Sequence, residues 1–200
     1  MNRRHPVLSA APFLALALLV GAGSVAVTGC APFVLAAGAG AGTLVATDRR
    51  TTGAQVDDEA IELKVTNAVG NRMGGGVHLN VISYNANVLL TGEAPTQAVR
   101  DEITNIARTT DRVRSVTNEV IVAPETGYGA RTNDTYITSK VKTRFVEANK
   151  FAATHVKVVT ERNVVYLMGI VSRQEGNDAA QIAASTSDVA RVVKLFEYTN

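Results

Sequence analysis

The chain carries one pattern twice. "VDDEAIELKV" at 56–65 aligns with "TNDTYITSKV" at 132–141, so Asp58, Ile61, Lys64 and Val65 match Asp134, Ile137, Lys140 and Val141. Further on, "VHLNVISYNANVLLTG" at 77–92 aligns with "THVKVVTERNVVYLMG" at 154–169. There His78, Val81, Val88, Leu90 and Gly92 match His155, Val158, Val165, Leu167 and Gly169. The spacing is 76 residues in the first block and 77 in the second, so one residue is inserted between them. Two copies are too few for a solenoid. The expected architecture is a tandem of two small domains.

Each copy reads the same way. A polar pair, Asp57/Asp58 or Asn133/Asp134, is expected to cap a helix whose apolar residues recur at helical spacing: Ile61, Val65, Val69 and Ile137, Val141, Phe145. Two strands rich in β-branched residues follow, separated by turns at Tyr84–Asn87 and Glu161–Asn163. A second helix carries Val99, Ile103, Ile106 and Ala107 in the first copy. In the second it opens with a capping box, Ser172 to Glu175, and carries Ala179, Ile182 and Ala183. A last strand closes each copy, near Ser115–Val122 and Val192–Tyr198. The fold class is α+β, in the order helix, strand, strand, helix, strand. A three-stranded mixed sheet with two helices on one face buries both apolar stripes.

The expected boundaries are 57–123 and 133–200, joined by a linker at 124–132 containing "PETGYGART". Copies this small are near the lower limit for a self-standing core, so docking of the two is expected to help. Residues 31–56, rich in Ala, Gly and Thr, read as a tether, and Ala31–Thr47 is apolar enough to lie on a bilayer instead.

The N-terminus fixes the compartment. Arg3 and Arg4 are followed by an uncharged run from Pro6 to Thr47, the pattern of a secretory signal over 1–29. Val27-Thr28-Gly29-Cys30 resembles the bacterial lipobox, which implies that Cys30 becomes the lipidated mature N-terminus. Several acyl chains anchor a protein stably where one does not. An uncleaved membrane-spanning helix is the alternative, since the run is long enough to span. Cys30 is the only cysteine. Once acylated it leaves no disulfide to form.

Without residues 1–29 the chain has 18 Lys+Arg against 18 Asp+Glu, so overall charge points to no nucleic-acid partner. The copies differ, however. Residues 57–123 carry net −3 and residues 133–200 net +2. Anionic headgroups should therefore prefer the second copy.

The phrases "NVLLTG" (87–92) and "VVYLMG" (164–169), the preceding "VHLNV" and "HVKV", and the helix starts together resemble the BON domain of bacterial envelope proteins. A lipobox followed by two such units is similar to the dual-BON outer-membrane lipoproteins of Gram-negative bacteria. The resemblance implies a lipid-anchored, periplasm-facing protein of the outer membrane. It would maintain envelope integrity, bind anionic phospholipids such as phosphatidylglycerol and cardiolipin through its second BON domain, and concentrate at division sites. Ala31, following the lipidated cysteine, is permissive for outer-membrane delivery. The family is not known as an enzyme family. A competing reading is a protein-interaction adaptor that recruits envelope machinery without recognising lipid.

The first helix of the second copy is the candidate phospholipid surface. Ile137, Val141 and Phe145 share its core face, while Tyr136, Ser139, Thr143 and Val146 form a second stripe with Lys140 and Lys142 beside it. An aromatic, an aliphatic and two lysines suit a bilayer interface. The first copy has Ala60, Thr66, Ala68 and Gly70 in place of Tyr136, Lys142, Arg144 and Val146. In the family the corresponding helix contacts phospholipid, with an aromatic at its start. The bland alternative is a tyrosine packed on a neighbouring domain and lysines that are merely solvated.

Catalytic chemistry is not expected. His78 and His155 fall at equivalent strand positions and read as scaffold, because a metal site needs converging ligands. "MGGG" (73–76) lacks a following Lys-Ser/Thr and leads into a strand, so it reads as a connection. No cofactor or metal is expected.

Overall fold

The computed structural model describes residues 48–124 and 128–199. The signal, Cys30 and the segment Ala31–Thr47 lie outside the described residues, as does Asn200. No helix among the described residues is long and apolar enough to cross a membrane.

The first repeat runs α1 (Thr52–Met73), β1 (His78–Tyr84), β2 (Asn87–Ala94), α2 (Gln97–Thr109), β3 (Ser115–Asn118) and β4 (Ile121–Val122). The second runs α3 (Tyr128–Ala148), a short 3-10 turn, β5 (Lys157–Glu161), β6 (Val164–Val171), α4 (Arg173–Ala184) and β7 (Arg191–Tyr198). In each repeat an antiparallel hairpin is extended by a parallel last strand, with the long hairpin strand in the middle. β3 and β4 keep one register against β2, since Leu90 faces Asn118 and Glu93 faces Ile121. They are a single strand interrupted at Glu119 and Val120, where Asn118 Oδ1 accepts the Val120 N–H (2.8 Å).

The helical stripes are buried as the periodicity requires. Ile61, Val65 and Val69 pack with Ile103, Ile106 and Ala107 over Val88 and Leu90. Ile137, Val141 and Phe145 pack with Ala179, Ile182 and Ala183 over Val165 and Leu167. Each buried Val, Ile, Leu or Phe among them contributes ~1.5–3 kcal/mol, and each Ala less. The Ser172–Glu175 capping box forms as expected.

Two expectations need correction. Asp58 and Asp134 cap no helix. α1 begins earlier, at Thr52 with Thr51 as N-cap, and α3 begins at Tyr128. Both carboxylates instead accept backbone N–H groups from the hairpin turn. Asp58 takes those of Asn85 (2.7 Å) and Ala86 (2.8 Å), and Asp134 takes those of Arg162 (2.8 Å) and Asn163 (2.9 Å). All four turn residues have positive φ (52°, 64°, 51°, 63°), as a two-residue type I′ turn demands. Asn85 and Asn163 tolerate the left-handed region, but Ala86 and Arg162 do so only at a cost and none of the four is Gly, so the aspartate's hydrogen bonds help hold each turn. The tether is also shorter than expected. Asp48–Arg50 is tied to the fold, with Arg50 on Asp48 and Asp58 and Arg49 gripping Glu175 bidentately and donating to Ile170 O.

The repeated glycine closes each hairpin. A Cβ on Gly92 would lie 2.1 Å from His78 O, and one on Gly169 2.3 Å from His155 O. Only glycine allows the two backbones to approach this closely.

Each sheet has a second face that no helix of its own repeat covers. The two sheets use these faces to pack on each other. Tyr84 and Leu89 meet Tyr166 and Met168, flanked by Ile82, Val159, Val164, Ile170, Val193 and Leu195. A polar rim surrounds this centre, including Lys157–Glu62, Asn85 and Asn87 on Glu197, and Arg191–Glu119. The docking expected from domain size is therefore an apolar centre with a polar edge.

Candidate functional site

The candidate residues all lie on α3, and the fold separates them. The core face turns Ile137, Val141 and Phe145 fully inward. Tyr136 is left 61% exposed and Val146 67% exposed, so neither is used for packing. Tyr136, Ser139, Lys140 and Thr143 line one groove of about 580 Å³, closed on its far side by Arg144 and the Ser185–Ser187 segment that follows α4. Lys142 faces the opposite flank. It lines a different groove, with Ser139, Thr138 and Glu161, that reaches His78 and Asn80 of the first repeat. Val146 lines neither groove.

The electrostatics of the first groove differ from the sequence expectation. Lys140 Nζ stands 5.0 Å from the centre of the Tyr136 ring, a cation–π arrangement. It also pairs with Asp188 Oδ2 at 2.8 Å and hydrogen-bonds Ser187. The hydrogen bond from Lys140 holds the Asp188 carboxyl below its usual range. Lys140 is thus already engaged, although Asp188 is exposed and such pairs are weak. Lys142 has no ion-pair partner among the described residues.

Sequence reasoning counted Arg144 as an extra charge of this helix but did not place it in the candidate surface. Its guanidinium donates to Thr186 Oγ1 (2.9 Å) and Ile182 O (3.3 Å), which holds it at the groove wall. The signal was present, since Arg144 lies one helical turn after Lys140 and faces Ala68 in the repeat alignment. The Ser185–Ser187 wall was not legible, because nothing local says which helix face the segment approaches. Together the groove offers an exposed aromatic, two cations and a set of hydroxyls. That set can hold a phosphate oxygen and rest against an apolar layer.

The histidines also depart from expectation. His155 Nδ1 stands 3.5 Å from Glu175. His78 Nδ1 lies 2.8 Å from Glu93 Oε2, with Glu161 beside them. The repeat positions are equivalent, but among the described residues two carboxylates converge on His78 and one stands beside His155.

Two small α+β modules in tandem, each a helix-covered sheet, define the class of this molecule. Residues 57–124 and 133–200 each match the BON domain model, and the chain belongs to the BON domain family. It is 38% identical over 193 residues to the outer membrane lipoprotein DolP of Haemophilus influenzae, covering 96% of this chain and 99% of that one. It is 33% identical to the 21 kDa hemolysin of Actinobacillus pleuropneumoniae (76% and 79% covered). It is 30% identical to osmotically-inducible protein Y of Escherichia coli (77% and 78% covered). Over nearly its whole length, then, the chain falls in the class of outer-membrane lipoproteins.

Proposed function

We propose that this lipoprotein supports envelope integrity by binding anionic phospholipid through the second repeat, and that this binding concentrates it at division sites. The observation that carries the reading is the exposed Tyr136 beside Lys140 and Arg144 along one groove of α3. A phosphodiester would take Arg144 and Lys140 as donors in place of Asp188. Tyr136 would sit at headgroup level and Val146 would reach the acyl boundary. Lys142, on the other flank, would add long-range attraction to an anionic surface. The lipid on Cys30 supplies permanent attachment, and the groove supplies selection among lipids.

The test is vesicle co-sedimentation with a mature chain carrying Cys30→Ser, so that acyl insertion does not mask recognition. Phosphatidylglycerol or cardiolipin vesicles should be bound and neutral ones left free. Tyr136→Glu should lower the binding at unchanged circular dichroism. Equal binding to neutral vesicles, or a folded Tyr136→Glu that binds as before, would overturn the site. Localisation at division sites is tested by imaging a fluorescent fusion of the same variant.

A further inference from the structure

Where the two repeats meet, His78 and Glu93 of the first hairpin and Glu161 of β5 bring one imidazole nitrogen and two carboxylate oxygens within 4.8 Å of one another. His78 and Glu93 are direct partners in the β1–β2 ladder, so their side chains emerge side by side on one face. Glu161 arrives from the other sheet. Glu93 is 1% exposed and Glu161 6% exposed.

Their charges are balanced unequally. Glu93 has Arg162 at 3.3 Å and His78 at 2.8 Å. Among the described residues Glu161 accepts only from neutral donors, Asn80 Nδ2 (2.7 Å) and Thr91 Oγ1 (3.5 Å), and both bond the same oxygen, Oε2. Its Oε1 takes no hydrogen bond from the described residues. A carboxylate this buried, with no cation hydrogen-bonded to it among the described residues, is expensive to ionise. Burial accordingly pushes its pKa up. The cluster is not sealed, because His78 and Glu161 both line the groove of about 630 Å³ that Asn80, Thr138 and Lys142 border.

We propose that His78, Glu93 and Glu161 form a three-ligand site for a divalent transition metal, Zn²⁺ by its donor set, joining the two repeats. Three protein ligands with a fourth position open to water from a groove is the arrangement of an open zinc site; the imidazole favours a transition metal and the two carboxylates neutralise its charge. Binding would replace the His78–Glu93 hydrogen bond with two metal bonds and release the proton that bond uses. Arg162 would remain on the second oxygen of Glu93 and Asn80 on Oε2 of Glu161, holding the ligands from outside. Because the ligands come from both sheets, the ion would tie the hairpin of one repeat to the strand of the other. The proposal is independent of the phospholipid reading.

The experiment is calorimetric titration of the untagged full chain in detergent, first dialysed against EDTA, with ZnCl₂ alone. One ion per chain is expected. Melting temperature should rise with Zn²⁺ concentration as linkage requires. Glu161→Gln, which keeps the shape and the Asn80 contact, should weaken binding about tenfold or more. In nitrogen-resolved NMR the His78 ring should shift on saturation and His155 should not. The absence of saturable one-to-one binding would overturn the site. So would a folded Glu161→Gln and a folded Glu93→Gln that both bind within about twofold of the parent, since the ion would then lie elsewhere.

Discussion

Lys140 and Asp188 form an ion pair at 2.8 Å across the mouth of the α3 groove, and the pair spends a cation that the headgroup reading needs. Asp188→Asn should free that cation without disturbing the core. A lysine near an anionic surface is worth about 1 kcal/mol, so vesicle affinity should rise several-fold. Co-sedimentation at two salt concentrations checks it, and the gain should shrink as salt rises.

The turn-holding aspartates should matter to stability far more than their surface-like sequence context suggests. Asp134→Ala strands two turn N–H groups and should cost about 2–3 kcal/mol in urea unfolding. Asp58→Ala should cost at least as much. That carboxylate also accepts from Ser83 Oγ (2.6 Å) and Arg50 (2.8 Å). Asn at either position, which keeps one acceptor, should fall between.

Gly169→Ala and Gly92→Ala should both destabilise, by about 2 kcal/mol or more, because the new methyl meets a backbone carbonyl that cannot swing aside. Gly92 also has φ +121°, so its substitution carries backbone strain in addition. Thermal melts should place Gly92→Ala below Gly169→Ala.

The clasp at Arg49 predicts an acid response. Hydrogen bonding from Arg49 lowers the Glu175 pKa from 4.5 to about 2. The folded value is depressed, so the stabilisation is present above about pH 4.5 and is lost as pH falls towards about 2. The pair is partly solvated, which limits its worth to about 1 kcal/mol. Arg49→Ala should remove most of the acid-induced loss in this window while lowering stability at pH 7. Unfolding at pH 7, 4 and 2.5 measures both.

What was legible in the sequence was what depends on local periodicity. Ile61, Val65 and Val69, their partners Ile137, Val141 and Phe145, the two hairpins and the Ser172 cap follow from spacing alone. What was not legible depends on which distant group a polar side chain meets. Asp58 and Asp134 look like caps because a cap and a turn acceptor use the same residue type. Lys140 looks free because Asp188 approaches from the end of another helix. Lys142 looks like a neighbour of Lys140, yet two positions along a helix amount to about 200° of rotation, which sends it to the other flank. His78 looks equivalent to His155 until Glu93 and Glu161 are in place, and residues aligned with those two are Ile170 and Tyr84.

Arg49 has a mechanical consequence. The described chain begins at Asp48, just ahead of the first repeat. Its first residues hold both repeats: Arg49 reaches Glu175 and Ile170 of the second, while Asp48 and Arg50 reach Tyr84 and Asp58 of the first. A pull on the chain at Asp48 would therefore be shared between the two modules instead of falling on α1 alone.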